Sequence, residues 1–186
     1  MDYSNKVLEL WTEEARAGRI FIHDYITPEI GIMVASSLDR CERDKNIEEV
    51  TVDVSSYGGS VDVSFQIIDR IRSMKTPVNT FCSGTAMSGG FLILAAGRNR
   101  KSLKHSSLMF HGCARRSGYQ KAPDIQNEAD YTKRIDDAMC EYLGSVTKMK
   151  PKHWQAFVKA KEDRYVTPQE ALEWGVIDEI VSDYKA

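Results

Sequence analysis

Residues 82–97, CSGTAMSGGFLILAAG, constrain the chain more than any other stretch. Small residues run straight into Phe91-Leu92-Ile93-Leu94-Ala95-Ala96, which is apolar throughout. The order predicts a strand ending near Phe81, a tight turn, and a buried helix from about Ser88 that Gly97 closes as a C′ glycine. A helix start offers unpaired N–H groups and a partial positive charge. Two glycines after Ser88 let another backbone come close. A serine held there can be a nucleophile with an oxyanion site beside it. It can equally be an N-cap on a core helix, so the rest of the chain must decide.

Upstream, residues 3–17 predict a helix with Val7, Leu8, Leu10 and Trp11 as its apolar positions, ended by Gly18. Residues 19–23 form a short strand, and Thr27-Pro28 caps an amphipathic helix over 29–44. Residues 49–54 alternate and are β-branched, which predicts a strand. A turn over 55–60 holds Gly58-Gly59, a helix covers 61–74, and a strand over 77–81 leads toward Ser88. Strands and helices that alternate with short loops imply a parallel sheet with helical crossovers. Gly58-Gly59 and Gly89-Gly90 then meet at the carboxyl edge of one sheet, where such sheets place their sites.

Downstream, residues 99–104 read as a basic turn and 107–111 as a strand. A long helix of mixed polarity follows over about 124–148, then a short helix over 151–160 and a strand over 164–166. Thr167-Pro168-Gln169-Glu170 is a capping box whose helix ends at Gly175, and 176–181 closes the fold as an edge strand.

Composition narrows the function classes. The 186 residues, 42% hydrophobic and 28% charged, suit one globular domain with a sizeable core. A net charge of −2 offers no general attraction to nucleic acid or an anionic membrane. Met1 to Lys6 lacks a signal-peptide pattern, and the apolar run 91–96 is too short to cross a bilayer. Cys41, Cys82, Cys113 and Cys140 form no CxxC pair, which fits free thiols in a cytoplasmic compartment and neither a disulfide nor a zinc framework.

Ser88 needs a base. His111 ends an apolar strand on the same edge as Ser88, whereas His105 and His153 lie in polar surroundings and His23 closes the first strand. A satisfied core histidine is the plainer reading of His111. Asp163 can orient its imidazole and stabilise the charged form, with Glu162 and Asp124 as equal rivals.

Five ordered segments resemble the Clp protease proteolytic-subunit family, ClpP, from about residue 19 to 181. They are Ser56-Tyr57-Gly58-Gly59-Ser60-Val61, Gly84-Thr85-Ala86-Met87-Ser88-Gly89-Gly90-Phe91, Met109-Phe110-His111, Glu162-Asp163-Arg164-Tyr165-Val166-Thr167, and the tail from Glu170 through Gly175 to Asp178. The resemblance implies a crotonase-like α/β spiral of repeated β-β-α units with a protruding handle over about 112–148, within a single domain spanning 1–186 behind an N-terminal helical segment (about 1–18). It implies Ser88 as nucleophile, His111 as general base, Asp163 as orienting acid, and the backbone N–H groups of Gly59 and Gly89 as oxyanion donors. Its activity is endopeptidase cleavage of unfolded polypeptide inside two stacked heptameric rings fed by an AAA+ ATPase unfoldase, with no cofactor, metal, nucleic acid or membrane involved. The residues around Ser88 are not a G-x-S-x-G elbow, which disfavours an α/β-hydrolase.

Several positions depart from the family pattern. Tyr57 replaces proline, Gly89 replaces methionine, and Gly112-Cys113 replaces Gln-Pro. The glycine-rich handle strand becomes 114–121, where Arg115 and Arg116 point opposite ways; one arginine is expected at the ring junction opposite Asp124, Glu128 or Asp130, the alternative being the chamber, where it would favour acidic substrates. About eighteen residues precede Arg19, fewer than the family's axial loops need, which argues against docking of an ATPase. Competing readings are an inactive subunit that builds a mixed ring, a crotonase-like acyl-CoA enzyme without a serine nucleophile, and a free-standing phage-type maturation protease.

Overall fold

The computed structural model describes residues 3–114 and 122–182. The chain runs α1 (Tyr3–Arg16), β1 (Arg19–Ile22), α2 (Pro28–Arg43), β2 (Val50–Ser56), α3 (Val61–Ser73), β3 (Val78–Met87), α4 (Gly89–Leu94) and β4 (Arg100–Leu103). It continues through β5 (Ser107–Phe110), α5 (Ala122–Val146), α6 (Pro151–Ala160), β6 (Arg164–Val166), α7 (Pro168–Trp174) and β7 (Glu179–Val181). It is a mixed α/β fold with one seven-stranded sheet. Strands β1, β2, β3, β4 and β7 lie side by side in that order and all pair in parallel. No described helix is long and apolar enough to cross a membrane.

The core follows the sequence periodicities. Val50, Val52 and Val54 of β2 are buried on one face of the sheet. The helical stripes Val34, Leu38, Cys41 and Ile67, Ile68, Ile71 are buried too. Thr27 caps α2 as expected, its hydroxyl accepting from the Ile30 N–H, with Pro28 in the first turn. The four apolar side chains of α4 are fully enclosed. Trp154 of α6 sits in an aromatic cluster with Phe91, Phe110, Phe157 and Trp174, its ring 5.2 Å from that of Phe110.

The structure corrects four expectations. Strand β3 does not end near Phe81 but continues to Met87, and β2 runs on to Ser56. The residues from Ser83 to Ala86 are small and carry little strand preference of their own. Pairing with β5 makes them extended: Thr85, Ala86 and Met87 lie in register with Ser107, Leu108 and Met109. The segment read as a basic turn over 99–104 contains β4, paired with both β3 and β7. Its Arg100 forks onto the Asp178 carboxylate at 2.9 and 2.6 Å and donates to the Val146 carbonyl at 2.7 Å, so partners distant in sequence help hold a polar segment in a strand. Gly97 is no left-handed cap. Helix α4 ends at Leu94, and Gly97 is needed because its Cα lies against Thr80 of β3. Finally, Ser88 does not cap α4 with its side chain. The altered handle strand, with Arg115 and Arg116, lies outside the described residues.

The corner after β6 is tied by Glu170. Its carboxylate accepts from the Thr167 N–H and hydroxyl, both at 2.9 Å, while Thr167 accepts from the Glu170 N–H, completing the predicted capping box. Arg164 donates to the other Glu170 oxygen at 2.9 Å and stacks over Phe157 and Trp174. The Thr167 N–H, then its hydroxyl and the Arg164 charge, hold the Glu170 carboxyl below its ordinary value of 4.5. A depressed carboxyl stabilises the fold above the unfolded-state value and loses that stabilisation as pH falls through the folded one.

Two measurements test this packing. An alanine Cβ at Gly97 would lie 2.6 Å from the Thr80 backbone nitrogen. Gly97→Ala is therefore expected to cost about 1–3 kcal/mol in urea unfolding; an unchanged midpoint would contradict the close approach. Glu170→Ala is expected to cost about 1 kcal/mol at neutral pH. The gap to the parent protein should narrow as pH falls below 4.5, because acid neutralises the same carboxylate. A gap that stays constant into acid would show that the charge contributes nothing.

Candidate active site

The extended β3 delivers Ser88 at the carboxyl edge of the sheet. The Ser88 N–H donates to the Met109 carbonyl at 2.9 Å, and its own carbonyl accepts from Phe91 at 3.0 Å. Both backbone groups are thus used, one by β5 and one by α4. The turn between them forces Ser88 to φ 52 and ψ −121, a sparsely populated conformation for a residue with a Cβ. The side chain is left uncommitted at the sheet edge, which suits a nucleophile better than a cap.

The second glycine turn packs directly on this one. Gly58 has φ 102 and Gly59 has φ 153, conformations open to glycine. A Cβ on Gly58 would come within 2.6 Å of the Ser88 Cβ and 3.1 Å of the Gly89 nitrogen. The turn is clamped from the other side by the segment before α2. Ile26 donates to the Gly58 carbonyl and accepts from the Ser60 N–H, both at 2.8 Å. That parallel bridge leaves out the Gly59 N–H. The Gly89 N–H belongs to the first turn of α4, where helix donors have no intrahelical partner. Ser64 Oγ and Ile26 Cδ1 fill the space a larger residue at 89 would need, which explains the glycine there.

Ser88, His111, Gly59 and Gly89 line one cavity of about 330 Å³, walled further by Asp62, Cys113 and Met139. His111 follows directly on Phe110, whose ring is locked against Trp154. Asp163 stands behind the histidine, outside the cavity, with Oδ1 3.8 Å from His111 Nδ1. Of the three carboxylates left open by the sequence, Asp163 is the one whose oxygen approaches His111. The separation is longer than a hydrogen bond, and the Asp163 side chain is 55% exposed. His105 and His153 are exposed, and His23 pairs with Asp53 at 3.4 Å, away from the cavity.

One carboxylate near His111 was not read from the sequence. Asp136 of α5 accepts a 2.7 Å hydrogen bond from the Cys113 N–H and interacts electrostatically with His111. Its place between the buried Ile135 and Met139, on the rim of the apolar stripe of α5, was the available signal.

The arrangement is a strained serine, an imidazole and two free backbone donors around one cavity, an acyl-transfer constellation. The Clp protease family model matches residues 3–184. The chain is similar to the ATP-dependent Clp protease proteolytic subunit 1 of Prochlorococcus marinus subsp. pastoris (strain CCMP1986 / NIES-2087 / MED4), at 32% identity over 193 residues that cover 98% of this chain and 92% of the relative. The same-named subunit of Prochlorococcus marinus (strain MIT 9312) is 31% identical, with the same coverage. With the family model spanning nearly its whole length, the chain belongs to the Clp protease family and is a serine protease of the Clp type.

Proposed function

We propose that this chain hydrolyses peptide bonds of unfolded polypeptides by a Ser88–His111–Asp163 mechanism, with the Gly59 and Gly89 N–H groups as oxyanion donors. The observation that carries the reading is the φ 52 turn at Ser88, packed against Gly58 and opening on the cavity that His111 also lines. Asp163 lies on the Nδ1 side of His111, which leaves Nε2 for the serine. His111 takes the Oγ proton as Ser88 attacks the scissile carbonyl carbon. Negative charge then develops on the carbonyl oxygen between the two glycine N–H groups. The imidazolium passes its proton to the leaving amine, and an acyl-serine remains. A water, deprotonated by the same imidazole, attacks the acyl carbon, and Ser88 leaves with the proton.

The family generally assembles into rings and works with ATPase partners. The specific assembly proposed is two stacked heptamers, loaded by an AAA+ unfoldase. The four cysteines form no disulfide with one another and three of them are buried, which fits a cytoplasmic setting. A second reading, a catalytically weak subunit within a mixed ring, is favoured by one observation: the 3.8 Å gap and open exposure of Asp163 beside His111. Catalytic hydrogen bonds are often long before substrate binds, so the active reading stands first.

Ser88→Ala is expected to abolish fluorophosphonate labelling and to lower kcat for a fluorogenic peptide by about a millionfold, with assembly intact. Near-parental cleavage by Ser88→Ala would overturn the serine mechanism, and a parent protein that never labels would favour the weak-subunit reading. Native mass spectrometry is expected to show fourteen copies, the count of two stacked heptamers; a monomer throughout the micromolar range would rule the ring out.

A further inference from the structure

The segment after the proposed base is held by a carboxylate on another element. Asp136 Oδ1 accepts from the Cys113 N–H at 2.7 Å, the length of a charge-assisted bond. Gly112 makes room for it. A Cβ there would lie 3.3 Å from Asp136 Oδ1 and 3.1 Å from Val158 Cγ1 of α6. Residue 113 is a cysteine and not a proline, so it has an N–H to donate. The bond therefore exists only because this chain carries a donor at 113 and an acid at 136 to meet it.

The same carboxylate acts on the imidazole. Burial raises the Asp136 carboxyl from its ordinary value, the Cys113 N–H opposes that rise, Asp137 adds to it, and the charge on His111 opposes it. Asp163, half exposed and with its oxygen 3.8 Å from His111 Nδ1, does not fix the histidine by a hydrogen bond. Asp62 and Cys113 line the cavity beside His111, and Asp137 and Cys140 on α5 interact electrostatically with Asp136. Asp62 is engaged by the Tyr131 hydroxyl at 3.1 Å.

We infer that Asp136 is a second positioning carboxylate for His111, holding the 111–113 segment through the Cys113 N–H. The inference rests on His111 being the general base. It makes catalysis depend on how α5 is seated, since Ile135, Met139 and Leu143 bury the face that carries Asp136 inward.

The test uses the full-length assembled protein and follows fluorophosphonate labelling and peptide hydrolysis from about pH 5 to 9. Asp136→Asn keeps an oxygen for the Cys113 N–H and removes only the charge. It is expected to retain most of the parental plateau, whereas Asp136→Ala, which removes the acceptor, is expected to lower kcat about tenfold with KM unchanged. Asp136→Glu is expected to restore part of that kcat. A parental kcat in Asp136→Ala, with or without a lower thermal midpoint, would overturn the inference while leaving the mechanism standing, provided His111→Gln abolishes the acid limb. A parental limb in His111→Gln would overturn the general-base assignment and this inference with it.

Discussion

The parallel register between the last residues of β3 and the first of β5 is the constraint on which the site depends. In its first half β3 pairs with β4, and from Thr85 onward it pairs with β5. The last bond of that ladder is the Ser88 N–H to the Met109 carbonyl, and the next residue but one is His111. One backbone pairing therefore sets the height of Ser88 and His111 together. The strain at Ser88 follows, because the chain must leave a strand and enter α4 within a single residue. Fully buried apolar side chains on α4 compensate for that strain, since unwinding the helix would expose them to water.

Close backbone approach does the rest. The Gly58-Gly59 turn fits against Ser88 and Gly89 only because no Cβ intervenes, and Ile26 holds it there by two hydrogen bonds. The aromatic cluster around Trp154 performs the same service for His111, since Phe110 immediately precedes it. The acid side is looser. Asp163 precedes a three-residue strand whose position depends on the Glu170 corner, whereas Asp136 comes from a 25-residue helix. The better-buried carboxylate is thus the one on the more firmly packed element.

Much of this was legible in the residues. The alternation of β2, the stripes of α2 and α3, and the Thr-Pro starts of α2 and α7 all lie where local pattern puts them, because each rests on side-chain spacing or on a cap within four residues. The two glycine turns could be seen converging, since parallel strands place their carboxyl ends together. The errors share one cause. The end of β3, the existence of β4 and the role of Gly97 are set by partners distant in sequence: β5, Asp178 and Thr80. Local propensity carries no information about such partners.

The sequence by itself determined the element types, the residues with the chemistry for acyl transfer, and the family, because these are written in periodicity, capping and ordered motifs. Only the tertiary structure decided which carboxylates face His111 and how far away they stand. It alone showed that Ser88 is strained and not capping, and that Gly112 leaves room for Asp136 to accept from the Cys113 N–H. The physical reason is range. Capping and periodicity act within a turn or two of chain, whereas the distance between a carboxylate on α5 and an imidazole after β5 is set by the packing of α5 and α6 beneath the aromatic cluster.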